Sequence, residues 1–433
     1  MPEILHITAH LGGGVGKALS RLVGTSTRLR DGWKHTITCL EQPQKCQFSD
    51  YIKDRGGELL ICPSSEVLNH RIAQADIVQV EWWHHPVVAR WLCSGPLPAM
   101  RLLIWSHVSG LHPPAIPPAF VAIPHRFLFT SHCSLRILGW TRSSTQYPLN
   151  TGVVYSSGGF DDLPFPPLRD SGEPLNAGYV GALNFAKLHP DLMNYLAEID
   201  LPDFRLACVG DPTTEIELLE QAAARGLTGR LELRGYRENV AAELAGFNVL
   251  IHLLNPQHYG TTENALLEAM AMGVVPVVLC NPAERCLVRH RETGIIVNNP
   301  AEFGAAISWL AANSLERSRI AENACRTVRK RFSAERMRSR LERHYKAVLS
   351  EAKRVFDFRP VFGTSPADWF RACQGESACL FGDEDDSGAG HSLPFEGPAY
   401  LYEKTKGSVF HYHDIFPSDR RLQNWAREIA ATR

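Results

Sequence analysis

Residues 258–279, HYGTTENALLEAMAMGVVPVVL, carry the residue types best suited to binding a phosphorylated ligand. The pattern predicts a helix that Thr261 or Thr262 caps and Gly273 ends, followed by a buried strand. The first amides of a helix have no partner within it, and with the helix dipole they attract anions. We therefore expect a diphosphate at this helix start. The amides that would bind it are those of Glu263, Asn264 and Ala265.

One carboxylate of this helix, Glu268, has a position that suits a sugar. It follows Asn264 by four residues and Thr261 by seven, so the three share one side of the helix, while Leu266 and Leu267 face the sheet. An ionised carboxylate beside a packed helix needs hydrogen-bond partners. Two ribose hydroxyls would supply them, and we predict that Glu268 binds a sugar.

Residues 7–19, ITAHLGGGVGKAL, predict a strand, a glycine turn and the start of a helix. A nucleotide-binding P-loop needs a hydroxyl side chain where Ala18 stands, and a dinucleotide fingerprint needs Gly or Ala where Lys17 stands. What remains is that Gly13 and Gly14 let backbone amides approach an anionic or polar ligand. The alternative is a glycine turn that serves packing alone.

Short apolar runs alternate with helical stretches along most of the chain, twice over. Runs that are apolar on both faces indicate parallel sheets covered by helices. The predicted strands are residues 4–8, 36–40, 58–61, 77–80, 101–105 and 126–130, and then 177–180, 205–209, 231–234, 249–252, 275–280 and 294–297. The predicted helices of the second half are residues 189–198, 214–225, 239–245 and 263–272. The fold class is α/β, with two Rossmann-like doubly wound domains facing a cleft and a C-terminal extension.

The predicted boundaries are 1–165 for an N-terminal acceptor domain, 175–350 for a donor domain and 355–433 for an extension of unknown role. Residues 161–176, rich in proline and acid, are the predicted linker. In the extension, His411 and His413 would alternate along a strand and share one side, but a third metal ligand is not evident. We predict no metal site.

Composition excludes several function classes. The chain has 433 residues and a formal charge of −1, so no global basic field gathers nucleic acid. Its 11 cysteines include no metal-ligand spacing and predict reduced thiols. With no signal sequence or spanning segment in the pattern, we expect a cytoplasmic protein. The basic stretch 324–354 is interpreted as a solvated helix face, with peripheral contact to an anionic inner membrane surface as the alternative.

Four motifs of the second half resemble those of retaining nucleotide-sugar glycosyltransferases of family 4, which have the GT-B fold. They are VGALNFAKLHP at 180–190, VGDP at 209–212, LELRGY at 231–236 and ENALLEAMAMGVVPVV at 263–278. GGGVGKAL, WSHVSG, FTSHC and LNTGV in the first half agree more loosely. The resemblance covers about residues 1–350.

The resemblance implies a role for each matching residue. Glu268 would hold the ribose, the amides of residues 263–265 the diphosphate, and Lys187 would neutralise that diphosphate. His107 would face the donor sugar and the acceptor hydroxyl, which makes His107, Lys187 and Glu268 the expected catalytic residues. Gly235 and Tyr236 would border the base. The donor would be a nucleotide-diphosphate sugar, used with retention of configuration and without a cofactor. His107 can also be a loop histidine with a purely structural role.

Two positions depart from the family pattern. The first of its paired glutamates falls on Gly260, and its phosphate-binding arginine falls on Ala182. Glu263 could replace the missing acid, or the hydroxyls of Thr261 and Thr262 could. The side chains that could supply the missing cation are Arg234, Arg237 and Lys17.

The sequence therefore predicts a glycosyltransferase acting on a hydroxyl of a glycan, glycolipid or small molecule. A catalytically inactive nucleotide-sugar-binding or regulatory protein of the same fold is the alternative. An oxidoreductase is disfavoured by the glycine spacing.

Overall fold

The structure is a computed structural model of the chain and describes residues 1–43, 46–139, 150–166, 172–211, 213–382, 401 and 403–431. Residues 383–390 of the acidic segment and residues 167–171 of the predicted linker lie outside the described residues. Contacts divide the chain into two units. The first comprises Met1–Gly158, Tyr259–Thr261 and Ala334–Arg433, and the second Gly159–His258 and Thr262–Ser333.

The strands agree closely with the apolar runs of the sequence, and three short ones are additional to them. They are β1 Glu3–Thr8, β2 Lys34–Cys39, β3 Glu58–Ile61, β4 Ile77–Trp82, β5 Leu97–Met100, β6 Leu102–Ser106, β7 Arg126–Phe129, β8 Thr151–Val153, β9 Ala177–Val180, β10 Leu206–Val209, β11 Leu231–Gly235, β12 Val249–His252, β13 Val275–Leu279, β14 Ile295–Val297 and β15 Arg354–Phe356. The additions are β5, β8 and β15, each of three or four residues.

The helices fill the intervals between the strands and continue to the end of the described chain. They are α1 Gly13–Leu29, α2 Gln47–Lys53, α3 Ser65–Gln74, α4 Pro86–Cys93, α5 Pro118–Ala122, α6 Leu192–Ala197, α7 Glu215–Ala224, α8 Val240–Gly246, α9 Asn264–Ala271, α10 Glu284–Leu287, α11 Pro300–Ala312, α12 Ser314–Arg331, α13 Ala334–Leu349, α14 Arg359–Phe362, α15 Pro366–Arg371, α16 Val409–Ile415 and α17 Arg420–Ala431.

The first unit is built on a sheet of order β3-β2-β1-β4-β6-β7-β8, in which every neighbouring pair is parallel. The central strands β1, β4 and β6 are buried almost throughout. Helices on both faces cover them, which explains why their sequences are apolar without alternation. The carboxyl ends of neighbouring strands meet at one edge, where doubly wound sheets bind ligands.

The second unit repeats this plan with a parallel sheet of order β11-β10-β9-β12-β13-β14. Its order reverses between β9 and β12, which are hydrogen-bonded neighbours although separate in sequence. The segments that follow these two strands therefore lie beside each other at the carboxyl edge, the usual ligand position in such a sheet.

The end of the predicted donor domain lies in the first unit. The sequence prediction carried that domain to residue 350, but α13 packs with the first sheet. Its apolar stripe of Met337, Leu341, Tyr345 and Val348 joins a core cluster with Ile4 and Trp105. An amphipathic helix shows which of its faces is apolar but not which sheet will cover it.

The extension also belongs to the first unit, where it forms part of the core. Phe358, Phe370 and Trp425 are buried in the cluster that includes Trp82 of β4 and Val88 of α4. The strand predicted for His411 and His413 is wrong: both lie in α16, whose start Ser408 caps by accepting a hydrogen bond from the His411 amide. Capping by serine and the packing of the apolar face outweigh the alternating pattern.

The basic stretch 324–354 is not one helix, and several of its arginines have partners inside their own unit. It comprises the end of α12, all of α13 and the start of β15. Arg329 donates to the backbone carbonyls of Ala271 and Pro164, and Arg338 pairs with Asp31 at 2.8 Å. No helix in the described part of the chain combines the length and the apolar character needed to cross a bilayer.

Candidate donor site

The backbone around Lys187 is fixed by the segments that follow β9 and β12. The Lys187 amide donates to the carbonyl of Asn184 at 3.0 Å, and the Lys187 carbonyl accepts from the amide of Asn255 at 2.7 Å. The Asn255 side chain donates to the Phe185 carbonyl at 2.7 Å. Parallel pairing of β9 with β12 brings these segments together, so the position of Lys187 depends on the sheet as well as on the local turn at Asn184.

The Lys187 ammonium binds the carboxylate of Glu263. Its Nζ lies 2.7 Å from Oε1 and 2.7 Å from Oε2 of that residue. Glu263 is the N-cap residue of α9 and is 7% exposed. The prediction that Thr261 or Thr262 caps this helix is therefore wrong, because α9 begins at Asn264. The buried carboxylate of Glu263 therefore lies both beside the Lys187 ammonium and at the N-terminus of α9.

Electrostatics keep Glu263 ionised. Burial is the largest single effect and raises its pKa, but the charge and hydrogen bonds of the Lys187 ammonium, together with contributions from His258 and His252, more than offset burial and hold the pKa at about 2. His252 Nε2 lies 3.9 Å from Glu263 Oε2, and burial lowers the pKa of His252 to about 4. Since His252 is then neutral at pH 7, Lys187 supplies the charge that balances Glu263.

The remainder of α9 has the arrangement that its periodicity predicts. Leu266 and Leu267 are fully buried against the sheet, whereas Asn264, Ala265 and Glu268 are half-buried on another side. Glu268 lies on the same eight-residue helix as the amides next to Glu263. The helix ends before Gly273, whose φ of 69° is the left-handed conformation expected after a helix C-terminus.

The turns after β9, β10 and β11 lie close together. The Gly210 amide donates to the Gly235 carbonyl at 3.0 Å. A Cβ on Gly210 would lie 1.8 Å from the Gly181 carbonyl oxygen, so only glycine fits. Ala182, where the resemblance to family 4 predicted an arginine, is exposed, as is Tyr236. These turns are open enough at Ala182 and Tyr236 to contact a ligand.

The arginines considered as substitutes for the missing cation have acidic partners. Arg234 Nη1 lies 2.7 Å from Glu243 Oε2 and Arg234 Nε lies 3.0 Å from Glu232 Oε1. Arg237 Nε is 3.5 Å from Glu243 Oε1. Arg237 and Glu232 are about half exposed, whereas the Arg234–Glu243 pair is part-buried. Exposed ion pairs contribute little to stability, so Arg237 in particular is not fixed in place by its partner.

In the first unit, His107 is held by a buried carboxylate that sequence reasoning missed. His107 Nε2 lies 2.7 Å from Glu81 Oε2, and Glu81 is 1% exposed on β4. Glu81 Oε1 also accepts from the Gln79 side chain at 2.7 Å and lies 3.2 Å from His6 Nδ1. Burial opposes ionisation of Glu81, but bonds from His107 and His6 lower its pKa overall. With Nε2 donating to this carboxylate, Nδ1 of a neutral His107 is an acceptor.

A signal for Glu81 was present in the sequence. Gln79 and Glu81 alternate along IVQVEW, an otherwise apolar strand, so both point to the same face of the sheet. The Tyr345 hydroxyl of α13 donates to Gln79 Oε1 at 2.6 Å. Buried polar side chains need such partners, and a strand carrying two of them indicates a buried polar network.

Other predicted donor-binding residues also belong to the first unit. Gly13 and Gly14 are the first residues of α1 and are exposed, with Gly12 as the N-cap residue, so the helix start is accessible. Thr261 Oγ1 lies 2.7 Å from Thr130 Oγ1, and Thr261 is 4% exposed. The Thr261 hydroxyl therefore has a partner within the first unit.

Part of the chain is similar in sequence to known glycosyltransferases. Residues 174–313 match the family model described as glycosyl transferases group 1. Over 137 residues the chain is 28% identical to the lipopolysaccharide core biosynthesis glycosyltransferase LpsE of Rhizobium meliloti, and the match covers 31% of this chain and 39% of that protein.

Solved structures resemble a larger part of the chain. Anabaena HepE in complex with UDP and glucose has a TM-score of 0.63 at 16% identity, covering 80% of this chain and all of HepE. A glycosyltransferase of Rickettsia africae gives 0.61 at 14% identity, covering 81% of this chain and 99% of that one. The chain has the GT-B fold. The predicted fold class of two Rossmann-like domains is thereby confirmed, and the second unit is similar to the glycosyltransferase superfamily.

Within this GT-B chain, the match to group 1 glycosyl transferases includes Lys187, Glu263 and Glu268. The lipopolysaccharide outer core galactosyltransferase WaaB is a further structural neighbour, with a TM-score of 0.55 at 16% identity over 80% of this chain and 99% of WaaB. Membership of family 4 and a retaining mechanism stay predictions.

Proposed function

We propose that the protein transfers a glycosyl group from a nucleotide-diphosphate sugar to a hydroxyl of a carbohydrate or lipid-linked acceptor. The observation that carries this proposal is the ion pair of Lys187 with Glu263 at the start of α9, the helix that bears Glu268. The likeness to LpsE and to HepE, which is described in complex with UDP and glucose, supports the same class of donor.

The proposed chemistry is stabilisation of a diphosphate as it leaves an oxocarbenium-like sugar. The Lys187 ammonium and the free amides at the start of α9 provide positive charge for the leaving group, and Glu268 accepts hydrogen bonds from the ribose. Removing one preorganised donor of this kind typically costs about 100- to 1000-fold in rate. These groups need no metal ion at the phosphate. With attack from the leaving-group face, configuration is retained and a phosphate oxygen takes the acceptor proton.

Glu263 takes the role of the acid that is missing at Gly260. Its carboxylate has lone pairs beyond the two that Lys187 occupies, and these can accept hydrogen bonds from hydroxyls of the donor sugar. Lys187 has three donor hydrogens, so it can bind Glu263 and a phosphate oxygen together. The pair then couples recognition of the sugar to neutralisation of the diphosphate.

His107 is the proposed contact to the transferred sugar and the acceptor. Because Glu81 accepts the Nε2 hydrogen, Nδ1 can accept a hydrogen from a hydroxyl group. Glu81 acts through His107 and is a positioning residue. The second candidate function, a binder without turnover, is favoured by one observation: Ala182, where the resemblance to family 4 would place a phosphate-binding arginine, is exposed and carries no charge.

Release of nucleoside diphosphate from a panel of nucleotide sugars, with and without carbohydrate acceptors, tests the proposal. We expect acceptor-dependent release that falls by about 100-fold or more in Lys187→Ala, while Lys330→Ala, which removes an exposed lysine of α12, keeps full activity. Glu263→Ala should lower turnover more than nucleotide binding. Binding of a donor without release in any combination would favour the inactive binder, and equal activity of Lys187→Ala would contradict the proposed site.

A further inference from the structure

Three neighbouring strands of the first sheet are each followed, within three residues, by a side chain that can ligate a metal ion. His10 follows β1, Glu41 follows β2 and His85 follows β4, and these strands are adjacent in the order β2-β1-β4. One ligand atom from each lies within 4.8 Å of the others. Parallel pairing brings residues that are far apart in sequence to one point at the carboxyl edge of the sheet.

The distances between these ligand atoms agree with coordination of one ion. Glu41 Oε1 lies 3.3 Å from His85 Nε2 and 3.7 Å from His10 Nε2. Two ligands at about 2.0–2.1 Å from a tetrahedral metal ion are about 3.3 Å apart. The three residues therefore need only small shifts to bind a common ion.

One nitrogen of this cluster is buried without a satisfactory partner. His85 is 1% exposed, and its Nε2 makes no aligned hydrogen bond within the described residues despite its proximity to Glu41. A buried polar atom left in this state costs free energy. Coordination of a metal ion by His85 Nε2 would satisfy this nitrogen. The remaining imidazole hydrogen would then lie on Nδ1, which would lose the long 3.4 Å hydrogen bond that it accepts from the Val87 amide.

The extension already supplies a cation to the cluster. Lys406 Nζ lies 2.6 Å from His10 Nε2, on the lone pair that a metal ion would use. The His411 ring of α16 lies edge-on to His85, with ring centroids 4.6 Å apart. Because a lysine has a flexible stem, its ammonium can leave and be replaced by a more strongly bound divalent ion.

We propose that His10, Glu41 and His85 form a binding site for a divalent first-row transition metal ion, for which the Lys406 ammonium is the competing cation. Two imidazoles and one carboxylate are a donor set that binds Zn²⁺ or Fe²⁺, whereas Mg²⁺ prefers oxygen ligands alone. The site lies in the first unit and does not depend on the proposed glycosyl transfer. Because Lys406 belongs to the extension, metal binding and the conformation of the extension are coupled.

Calorimetric titration of the metal-free full-length protein with Zn²⁺ tests this site, and metal analysis of the product gives the number of ions bound per chain. We expect one ion per chain, and a loss of affinity of at least about tenfold in His85→Ala and in Glu41→Gln. His70→Ala, which removes an exposed histidine of α3, is the matched control and should bind like the parent protein. Co²⁺ should give the visible absorption of a four- or five-coordinate ion, and Fe²⁺ added without oxygen distinguishes the two metals.

Lys406→Met provides an independent test that leaves every ligand in place. Removal of the competing ammonium should tighten Zn²⁺ binding, and circular dichroism establishes that each variant is folded. Absence of stoichiometric binding in the parent protein and in Lys406→Met would overturn the proposal. So would binding that His85→Ala and Glu41→Gln leave unchanged, or Mg²⁺ binding with equal strength.

Discussion

Lys187 and Glu263, 76 positions apart in the chain, form a two-point ion pair in which the ammonium lies 2.7 Å from both carboxylate oxygens. The carboxylate belongs to the N-cap residue of α9 and the ammonium to the segment after β9. The pair therefore joins two segments at the carboxyl edge of the second sheet. It also gives the predicted substitute for the missing acid a definite partner.

The contributions of Lys187 and Glu263 to stability should be coupled, because each side chain stabilises the protein only when the other is present. Lys187→Met leaves the Glu263 carboxylate buried without its cation and should lower the free energy of unfolding by about 1–3 kcal/mol. Adding Glu263→Gln should recover part of this loss. Chemical denaturation of the four proteins of this double-mutant cycle gives the coupling energy, and strictly additive effects would show that the pair contributes nothing.

Acid should destabilise the protein below about pH 6.5. Burial lowers the pKa of His344 and of His411 from 6.5 to about 4. Between about pH 4 and pH 6.5 the folded protein therefore binds fewer protons than the unfolded chain. The stability present above pH 6.5 is therefore lost as pH falls toward 4. His344→Gln should reduce the difference in unfolding free energy between pH 7.5 and pH 5 by on the order of 1–2 kcal/mol.

The control for His344→Gln is His70→Gln, which replaces an exposed histidine and should keep the pH dependence of unfolding of the parent protein. If the unfolding free energy of His344→Gln depends on pH as that of the parent does, the lowered pKa of His344 does not contribute to acid destabilisation. Glu263 acts in the same direction at lower pH, since its pKa of about 2 makes its contribution disappear as pH falls below about 4.5.

Glu81→Gln should impair turnover through His107. The amide cannot accept the Nε2 hydrogen with the strength of a carboxylate, so His107 loses its orientation and kcat should fall by about 10- to 100-fold with nucleotide affinity unchanged. In that background His107→Ala should have little further effect, and Glu322→Gln on the surface of α12 should have none. Independent, multiplicative losses from Glu81→Gln and His107→Ala would contradict this role.

The extension should be required for the stability of the first unit. Phe370 is 3% exposed and its ring lies 4.9 Å from that of Phe381, so Phe370→Ala should cost about 3–5 kcal/mol in unfolding free energy. Phe165→Ala, at a position 78% exposed, should cost less than about 1 kcal/mol. Equal, small losses in thermal or chemical denaturation would show that the extension packs only loosely.

Sequence patterns predicted the two sheets well because their central strands are buried on both faces. Strands of this kind are short uninterrupted apolar runs, and β9 and β12, which are buried throughout, have the bounds that the pattern gives. The placement of α13 and of the extension could not be predicted. Their apolar faces are evident, but which sheet they cover depends on contacts across hundreds of residues.

The same limit applies to the candidate sites. Glu268 and Lys187 could be singled out from motifs and helix periodicity. The pairing of Lys187 with Glu263, and that of His107 with Glu81, depends on which strands are neighbours, and no local pattern contains that information. The periodicity of His411 and His413 misled because two residues on one side of a strand are separated on a helix.

Calorimetric titration with UDP, GDP, ADP and CDP tests most directly whether a nucleoside diphosphate binds at α9. The proteins to compare are the parent, Lys187→Ala, Glu268→Ala and the surface control Lys330→Ala. We predict that at least one nucleotide binds the parent and the control equally, and that Lys187→Ala and Glu268→Ala each weaken it by at least about tenfold, or about 1.4 kcal/mol. Equal affinity in all four proteins, or no binding of any of the nucleotides, would contradict the account.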